Sequence, residues 1–211
     1  MYSKPEFAPL SAEAPLALID AAVMATVFTP GEDGAPAAVS HLPFLVDRGG
    51  GGGGLVLVSH AARANPHAAR IAAGCAMVAV FSGPQGYISS SWYPRDPERD
   101  SAPTWNYAAV HCHGRAVALD APGTARHLAA LVARLEHGRA DAWSLEELGP
   151  GGMGRRLPHV QGFELHVERL EASYKMGQDE RLRDTRAAIE RLGAGAPALA
   201  EMMAGCNRGR S

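Results

Sequence analysis

The chain has 211 residues, of which 46% are hydrophobic and 20% charged, a balance typical of a water-soluble globular protein. Its formal charge of −2 lacks the basic excess with which DNA-binding proteins neutralise phosphates, so a dedicated DNA reader is disfavoured. It has no long apolar run, no secretory signal pattern and no CxxC pair among its three cysteines, which predicts a cytoplasmic protein that does not cross a membrane.

The first third of the chain predicts one helix followed by strands. "SAEAPLALIDAA" has apolar residues at helical spacing and Ser11 as a candidate cap. Strands are predicted in "VMATVFTP", "AVSHLPFLVD" and "LVLVSH", with "GEDGAP" and the six glycines at 49–54 as the loops between them. No lysine and Ser/Thr follow those glycines at the offsets of a phosphate-binding loop, so the tract is interpreted as a flexible connection.

"NPHAARIAAG" begins the second part with a helix, for which Asn65 is the cap, Pro66 the first residue and Gly74 the end. Strands are then predicted in "CAMVAVFSG", "GYISSSW", "NYAAVHCHGRAVALD" and "VQGFELHVERLEASYK". Helices are predicted in "TARHLAALVARLEHG" and "DERLRDTRAAIERLG", the latter followed by a short helix. Six or seven strands that do not alternate regularly with helices favour a mainly β protein, an antiparallel barrel with flanking helices, in one domain of residues 1–211.

Two local features suggest chemistry. Arg63 lies just before the predicted helix and His60 ends the preceding strand, so a guanidinium and an imidazole are available to a phosphate near a helix start. His111 and His113 share one strand face, but zinc sites need three or four protein ligands and no further ligand stands at an unambiguous spacing. We therefore interpret the two histidines as hydrogen-bonded barrel residues and predict no metal site.

Four longer strings carry a resemblance: "SHLPFLVD", "SHAARANPH", "FSGPQGYISSSWYP" and "PTWNYAAVHCHG". In order and spacing they resemble the PaiB family, whose members are described as FMN-binding negative transcriptional regulators. The similarity runs from "MYSKPEFAP" to about "VQGFELHVERLEASYKMGQ", most of the chain. It implies a split β-barrel related to pyridoxamine-phosphate oxidase, in which two subunits share each FMN site.

The resemblance also implies residue roles. Where the wider fold grips the FMN phosphate with a serine, an arginine and a lysine, this chain has Ala62-Arg63-Ala64, so Arg63 is the remaining cation and His60 a second donor. His41 and Leu42, in the strand that runs along the flavin ring, are the expected ring contacts.

"PTWN" corresponds to the segment that is presented to the partner subunit's cofactor. Thr104, Trp105 and Asn106 are therefore expected there, where flat aromatic side chains suit a tricyclic ring. The neighbouring aromatic residues of this stretch are expected to line or roof the same pocket: Trp92, Tyr93 and Tyr107. An aromatic cluster in an ordinary subunit interface is the alternative.

Near the C-terminus, Lys175 and Gln178 match a family segment, while Gly177, Asp179 and Glu180 depart from its polar to basic pattern. Lys175 and Gln178 are carried over as cofactor contacts.

Three functions stay open on the sequence. The first is a homodimeric FMN-binding regulator, and the second is a flavin-dependent oxidoreductase or haem-degrading enzyme, for which histidines beside the ring would act as acid or base. The third is a repressor that contacts DNA directly. In "ERLRDTRAAIERLGAG" arginines alternate with acidic residues, which is typical of a solvated helix face and gives the third function no support.

Overall fold

Six strands and six α-helices make up the computed structural model within residues 1–31, 38–47, 54–95 and 98–210, the part of the chain that it describes. The strands are β1 (Met24–Thr29), β2 (Ala38–Asp47), β3 (Val56–Ala62), β4 (Ala76–Ile88), β5 (Thr104–Ala118) and β6 (Val160–Lys175). The helices are α1 (Ala14–Ala22), α2 (Pro66–Ala72), α3 (Ala121–Glu136), α4 (Gly152–Arg156), α5 (Leu182–Leu192) and α6 (Pro197–Cys206).

The strands close into an antiparallel barrel in the order β1-β2-β3-β6-β5-β4. In its register Thr26 pairs with His41, Phe44 with Ser59, and Ser59 with Phe163. This architecture confirms the predicted fold class, a mainly β split barrel with flanking helices. All of the predicted turn "GEDGAP" except Gly31, and all of the glycine tract except Gly54, lie outside the described residues.

Two predicted boundaries differ from the structure. "CAMVAVFSG" and "GYISSSW" were expected to form two strands, but β4 continues through Gly83 and Pro84, which gives six strands. A Cβ on Gly83 would lie 2.8 Å from the Leu18 Cδ1 atom, so this glycine permits close packing and does not end the strand. Helix α1 begins at Ala14, three residues after the predicted cap at Ser11.

The chain divides into two compact units. The terminal unit comprises Met1–Ala22, Phe81–His111 and Glu171–Ser211, and the central unit comprises Val23–Val80 and Cys112–Leu170. One boundary lies between α1 and β1, and the other three fall within the three longest strands, β4, β5 and β6.

Alternation along the strands builds the core of the central unit. Phe44 on β2 and Phe163 on β6 are both almost fully buried, and their rings meet edge to face with centroids 5.8 Å apart. Leu57 and Leu165 are fully buried as well, while Glu164 and His166 point outward as their alternate positions on β6 require.

No helix within the described residues has the length and apolar character that crossing a membrane requires.

Candidate functional site

His41 and Leu42 are neighbours on β2 and therefore face opposite sides of the sheet. The His41 side chain is exposed, and its Nδ1 atom lies 3.1 Å from the Thr26 hydroxyl on β1. Leu42 is 6% exposed and packs into the core. His41, and not Leu42, presents its side chain at the surface.

A buried polar network joins the two strings "SHLPF" and "RANPH". The Asn65 amide donates to the Ser40 hydroxyl at 2.9 Å, and the two ring nitrogens of His67 lie 2.7 Å from the Ser40 hydroxyl and 3.0 Å from the Thr29 hydroxyl. His67 is fully buried, and desolvation lowers its pKa, which keeps the ring neutral. This network holds α2 against β1 and β2. No local sequence pattern predicts this network, because its partners are 25 or more residues apart.

Arg63 is positioned by the end of the β3–β6 ladder. Ala62 pairs with Val160, and the Arg63 backbone N–H continues the pattern by donating to the His159 carbonyl at 2.9 Å. The Arg63 side chain is exposed. It lines a cleft of about 330 Å³ together with Ala121, Thr124, Gly154, Leu157, Pro158 and Val160. Among the described residues, none forms a hydrogen bond or an ion pair with its guanidinium.

Helix α2 begins as predicted, with Asn65 as its cap and Pro66 in its first turn. The Asn65 side chain accepts the His67 backbone N–H at 3.0 Å, so one of the first donors of the helix is already satisfied. The helix has only seven residues. Because the helix is short and one of its first N–H donors is already satisfied, the positive charge for an anion at the start of α2 comes from the Arg63 guanidinium.

His60 pairs with a residue that the sequence analysis did not select. Its Nδ1 atom lies 3.0 Å from the Nε2 atom of His127 on α3, and His127 is 4% exposed. Burial, with the neighbouring His60 as a smaller cause, lowers the pKa of His127 to about 4, and burial also lowers the pKa of His60. Both rings are neutral at pH 7, so His60 is a hydrogen-bonding group here and carries no charge. The sequence signal for this contact is His127 itself, a histidine on the apolar face of the helix predicted in "TARHLAALVARLEHG".

In the terminal unit, Thr104 and Lys175 are in direct contact. The Lys175 ammonium donates to the Thr104 hydroxyl at 2.5 Å, and a carboxylate oxygen of Asp179 lies 3.9 Å from it. The ammonium also lies 6.0 Å from the centre of the Phe7 ring. This cluster brings together two predicted site residues that are 71 positions apart in the sequence.

Gln178 has a structural role in the turn after β6. Its side-chain carbonyl accepts the Met176 backbone N–H at 2.6 Å, and its amide donates to the Tyr174 carbonyl at 2.7 Å. Gly177 between them has φ +85°, a conformation that favours glycine. The polar atoms of Gln178 thus hold the connection to α5.

Trp105 is an exposed aromatic side chain at the start of β5. It is 52% exposed, its indole N–H donates to the Gln85 side chain at 3.2 Å, and its ring centroid lies 6.4 Å from that of Tyr87, which is 50% exposed. Asn106, next to it, is 1% exposed; its Nδ2 atom lies 3.5 Å from the Met203 sulfur. The Asn106 Oδ1 atom is buried without a hydrogen-bond partner among the described residues.

The remaining aromatic residues of this stretch differ in exposure. Trp92 and Tyr107 are partly exposed, whereas Tyr93 is 3% exposed. Burial raises the pKa of Tyr93 to about 12, with the carboxylates of Glu180, Asp184 and Asp179 as further causes. Tyr93 is thus a core residue of the terminal unit.

The predicted residues form two groups. The central unit holds His41, Leu42, His60 and Arg63, and the terminal unit holds Thr104, Trp105, Asn106, Lys175 and Gln178. Within these groups, three side chains are exposed at the surface: the imidazole of His41, the guanidinium of Arg63 and the indole of Trp105.

Comparisons with known structures support the fold. The "FAD and Heme binding protein from Mycobacterium smegmatis" matches with a TM-score of 0.57 and 18% identity, covering 85% of this chain and 78% of that one. The "Flavocytochrome Anf3 from Azotobacter vinelandii" matches with a TM-score of 0.60 and 19% identity, covering 81% of this chain and 70% of that one. At these identities the likeness concerns the fold.

Sequence comparisons give a relative and a family model that match this chain. The "Protease synthase and sporulation protein PAI 2" of Bacillus subtilis (strain 168) is 34% identical over 136 residues, which cover 64% of this chain and 64% of that protein. The family model described as "Putative FMN-binding domain" matches residues 1–169. A match over that much of the chain establishes the family: this protein belongs to the FMN-binding split-barrel proteins, and its cofactor is FMN.

Proposed function

We propose that this chain is a cytoplasmic, homodimeric regulator that holds FMN at the interface between its two subunits. The observation that carries the proposal is the exposed Arg63 guanidinium beside a cleft in an FMN-binding barrel. Bound FMN supplies redox chemistry and a phosphate dianion, and this chain's residues supply the groups that hold it.

The phosphate fits the central-unit group. Arg63 offers a planar guanidinium with several N–H donors, and such a group binds phosphate in a bidentate manner. Its backbone is fixed by the hydrogen bond to His159, while its side chain is exposed beside the 330 Å³ cleft. His60 contributes a neutral ring, since burial lowers its pKa. Arg63 therefore carries the charge-assisted contact.

The flavin ring fits the terminal-unit group. The exposed Trp105 and Tyr87 rings offer flat apolar surface with a polar edge, which suits a tricyclic ring. Thr104 on β5 and Lys175 on β6, which are in contact with each other, add a hydroxyl and a cation. The buried Asn106 Oδ1 atom has no hydrogen-bond partner within the described part of the chain, and it is the kind of acceptor for which a bound molecule supplies the donor. We propose that this group contacts the FMN held by the partner subunit.

An exposed apolar sheet face supports the homodimer. Met24 and Phe28 on β1 and Val39 on β2 are 52%, 38% and 52% exposed, and Phe28 pairs with Val39 in the register. The Thr26–His41 hydrogen bond lies between them on the same face. Large apolar side chains exposed together on one face are typical of interaction sites. His41, the proposed ring contact, thus lies within the proposed interface.

Replacing Arg63 with alanine should weaken FMN binding by about tenfold to a hundredfold, because a hydrogen bond to a charged group contributes roughly 1.5–3 kcal/mol. Fluorescence quenching during titration of the flavin-free protein measures the affinity. Arg186→Ala, which removes an exposed arginine of α5, should leave the affinity unchanged.

Riboflavin separates a phosphate contact from a general loss of structure. It has the same ring and lacks the phosphate, so Arg63→Ala should not change its affinity. Equal affinity of wild type and Arg63→Ala for FMN would exclude Arg63 from the site.

Replacing Phe28 with aspartate should convert dimers to monomers, since a buried carboxylate in an apolar interface has a large desolvation cost. Light scattering during gel filtration measures the mass of wild type and variant. Leu135→Asp is the matched control, because Leu135 is a 51% exposed leucine on α3. A wild-type protein of monomeric mass would contradict the homodimer.

The regulatory role predicts that the FMN-loaded dimer does not turn over. Supplied anaerobically with an excess of a chemical reductant and with a panel of electron acceptors, the protein should reduce no acceptor faster than the reductant does alone. Sustained turnover with any acceptor would identify an oxidoreductase and overturn the regulatory proposal.

A further inference from the structure

The terminal unit contains a cleft of its own, different from the cleft beside Arg63, and the FMN proposal does not use it. It has a volume of about 500 Å³ and lies among α1, the middle of β4 and the end of α6. All of its lining residues belong to the terminal unit. Four of them, Tyr174, Met202, Gly205 and Cys206, lie beyond residue 169, where the family match ends.

The cleft exists because small residues form its walls. Ala14, Ala17 and Ala21 recur at the spacing of one helix face and turn this side of α1 toward the space. Gly83 on β4 and Gly205 on α6 form parts of the opposite walls. Among the described residues, a Cβ added to Gly205 would touch Leu10 Cδ1 alone, at 3.9 Å, so open volume lies beside it.

Of the described residues, those that line the cleft carry no charged side chain. The Tyr174 hydroxyl lies at the wall but already donates to the Ala14 carbonyl at 3.0 Å. Burial raises the pKa of Cys206, so its thiol is neutral at pH 7. Beyond it, the Ser82 hydroxyl is the other side-chain polar group of the lining. An ion would lose its hydration here without a compensating partner.

The size of the cleft argues for a small molecule and against a second copy of the chain. Pockets for small ligands commonly have volumes of about 300–1,000 Å³, and this volume of about 500 Å³ lies within that range. Stable protein interfaces use roughly 20–30 residues from each side. The cleft is lined by 13 residues, too few for such an interface.

We infer that the cleft among α1, β4 and α6 binds an uncharged, hydrocarbon-rich small molecule with at most one or two polar atoms. The apolar walls supply the affinity through burial, and the Cys206 and Ser82 groups orient the polar atom. The inference is independent of the FMN site, since its lining contains none of the residues proposed to hold FMN.

A neutral fluorophore tests the inference directly on the FMN-loaded protein. N-phenyl-1-naphthylamine is uncharged, and 8-anilinonaphthalene-1-sulfonate carries the same ring system with an added sulfonate. The neutral probe should bind at least tenfold more tightly than the anionic one. Ala17→Phe fills the cleft from α1 and should weaken binding of the neutral probe at least tenfold.

Ala198→Phe provides the matched control, because Ala198 is an exposed helical alanine of α6 that does not line the cleft. It should bind the probe as wild type does, and both variants should keep the flavin absorbance of wild type. Equal probe binding by Ala17→Phe and wild type would overturn the inference. Loss of flavin, or a change of oligomeric mass, in Ala17→Phe but not in Ala198→Phe would also overturn the inference.

Discussion

Gly114→Ala should lower the free energy of unfolding by at least about 3 kcal/mol, or prevent folding at 37 °C. A Cβ at residue 114 would lie 2.0 Å from the His166 carbonyl oxygen, 2.8 Å from its carbon and 3.1 Å from the Val167 Cα atom. These are backbone atoms of β6, which neighbours β5 in the barrel, and they have no rotamer with which to move away. The whole strand must shift to admit one methyl group.

Urea unfolding followed by circular dichroism measures this loss. Gly154→Ala is the control within the same unit, because a Cβ there meets nothing within 4 Å and Gly154 lies in α4. Alanine is the better helix former, so this variant should be as stable as wild type or slightly more stable. A Gly114→Ala protein with the unfolding midpoint of wild type would show that β5 and β6 do not approach as described.

Acidification from pH 6.5 toward pH 4 should destabilise the protein by about 3 kcal/mol through His127. Burial lowers the pKa of His127 from 6.5 to about 4, so in this range the unfolded chain binds a proton that the folded chain does not. The free energy of unfolding therefore decreases as the pH falls. The stabilisation is complete above pH 6.5 and is lost as the pH falls to the folded-state pKa. The lowered pKa of His60 acts in the same direction.

The acid effect can be isolated by substitution. His127→Gln keeps a polar side chain near His60 and removes the titrating ring, so its unfolding midpoint should change less between pH 6.5 and pH 4 than that of wild type. His137→Gln replaces an exposed histidine at the end of the same helix and should keep the wild-type pH dependence. Asp47, Arg126 and Glu164, which line a cleft with His127, are unchanged in both variants. Parallel profiles for wild type and His127→Gln would exclude His127 as the origin.

The buried His60–His127 pair also determines the pH at which FMN binding should be measured. His60 lies three residues before Arg63, and its ring contacts His127 on α3. The Arg63 titrations are therefore best made above pH 6.5, where both rings are neutral.

Much of the barrel follows from the sequence. The apolar alternation of "AVSHLPFLVD" and "VQGFELHVERLEASYK" predicted β2 and β6 with the observed bounds, and Asn65 and Pro66 predicted the start of α2. These signals are local, since a strand period or a helix cap depends on neighbouring residues. The family strings added the cofactor and the relationship to split barrels, which periodicity does not encode.

Only the tertiary structure decided which distant residues meet. The pairing of Ser40 with His67, of His60 with His127, and of Gly114 with the β6 backbone depends on strand order and register. It also showed that Gln178 is engaged within a turn, whereas Arg63 is presented at the surface. The cleft against α6 arises in the same way, because a void is a property of several elements together and no single stretch of sequence specifies it.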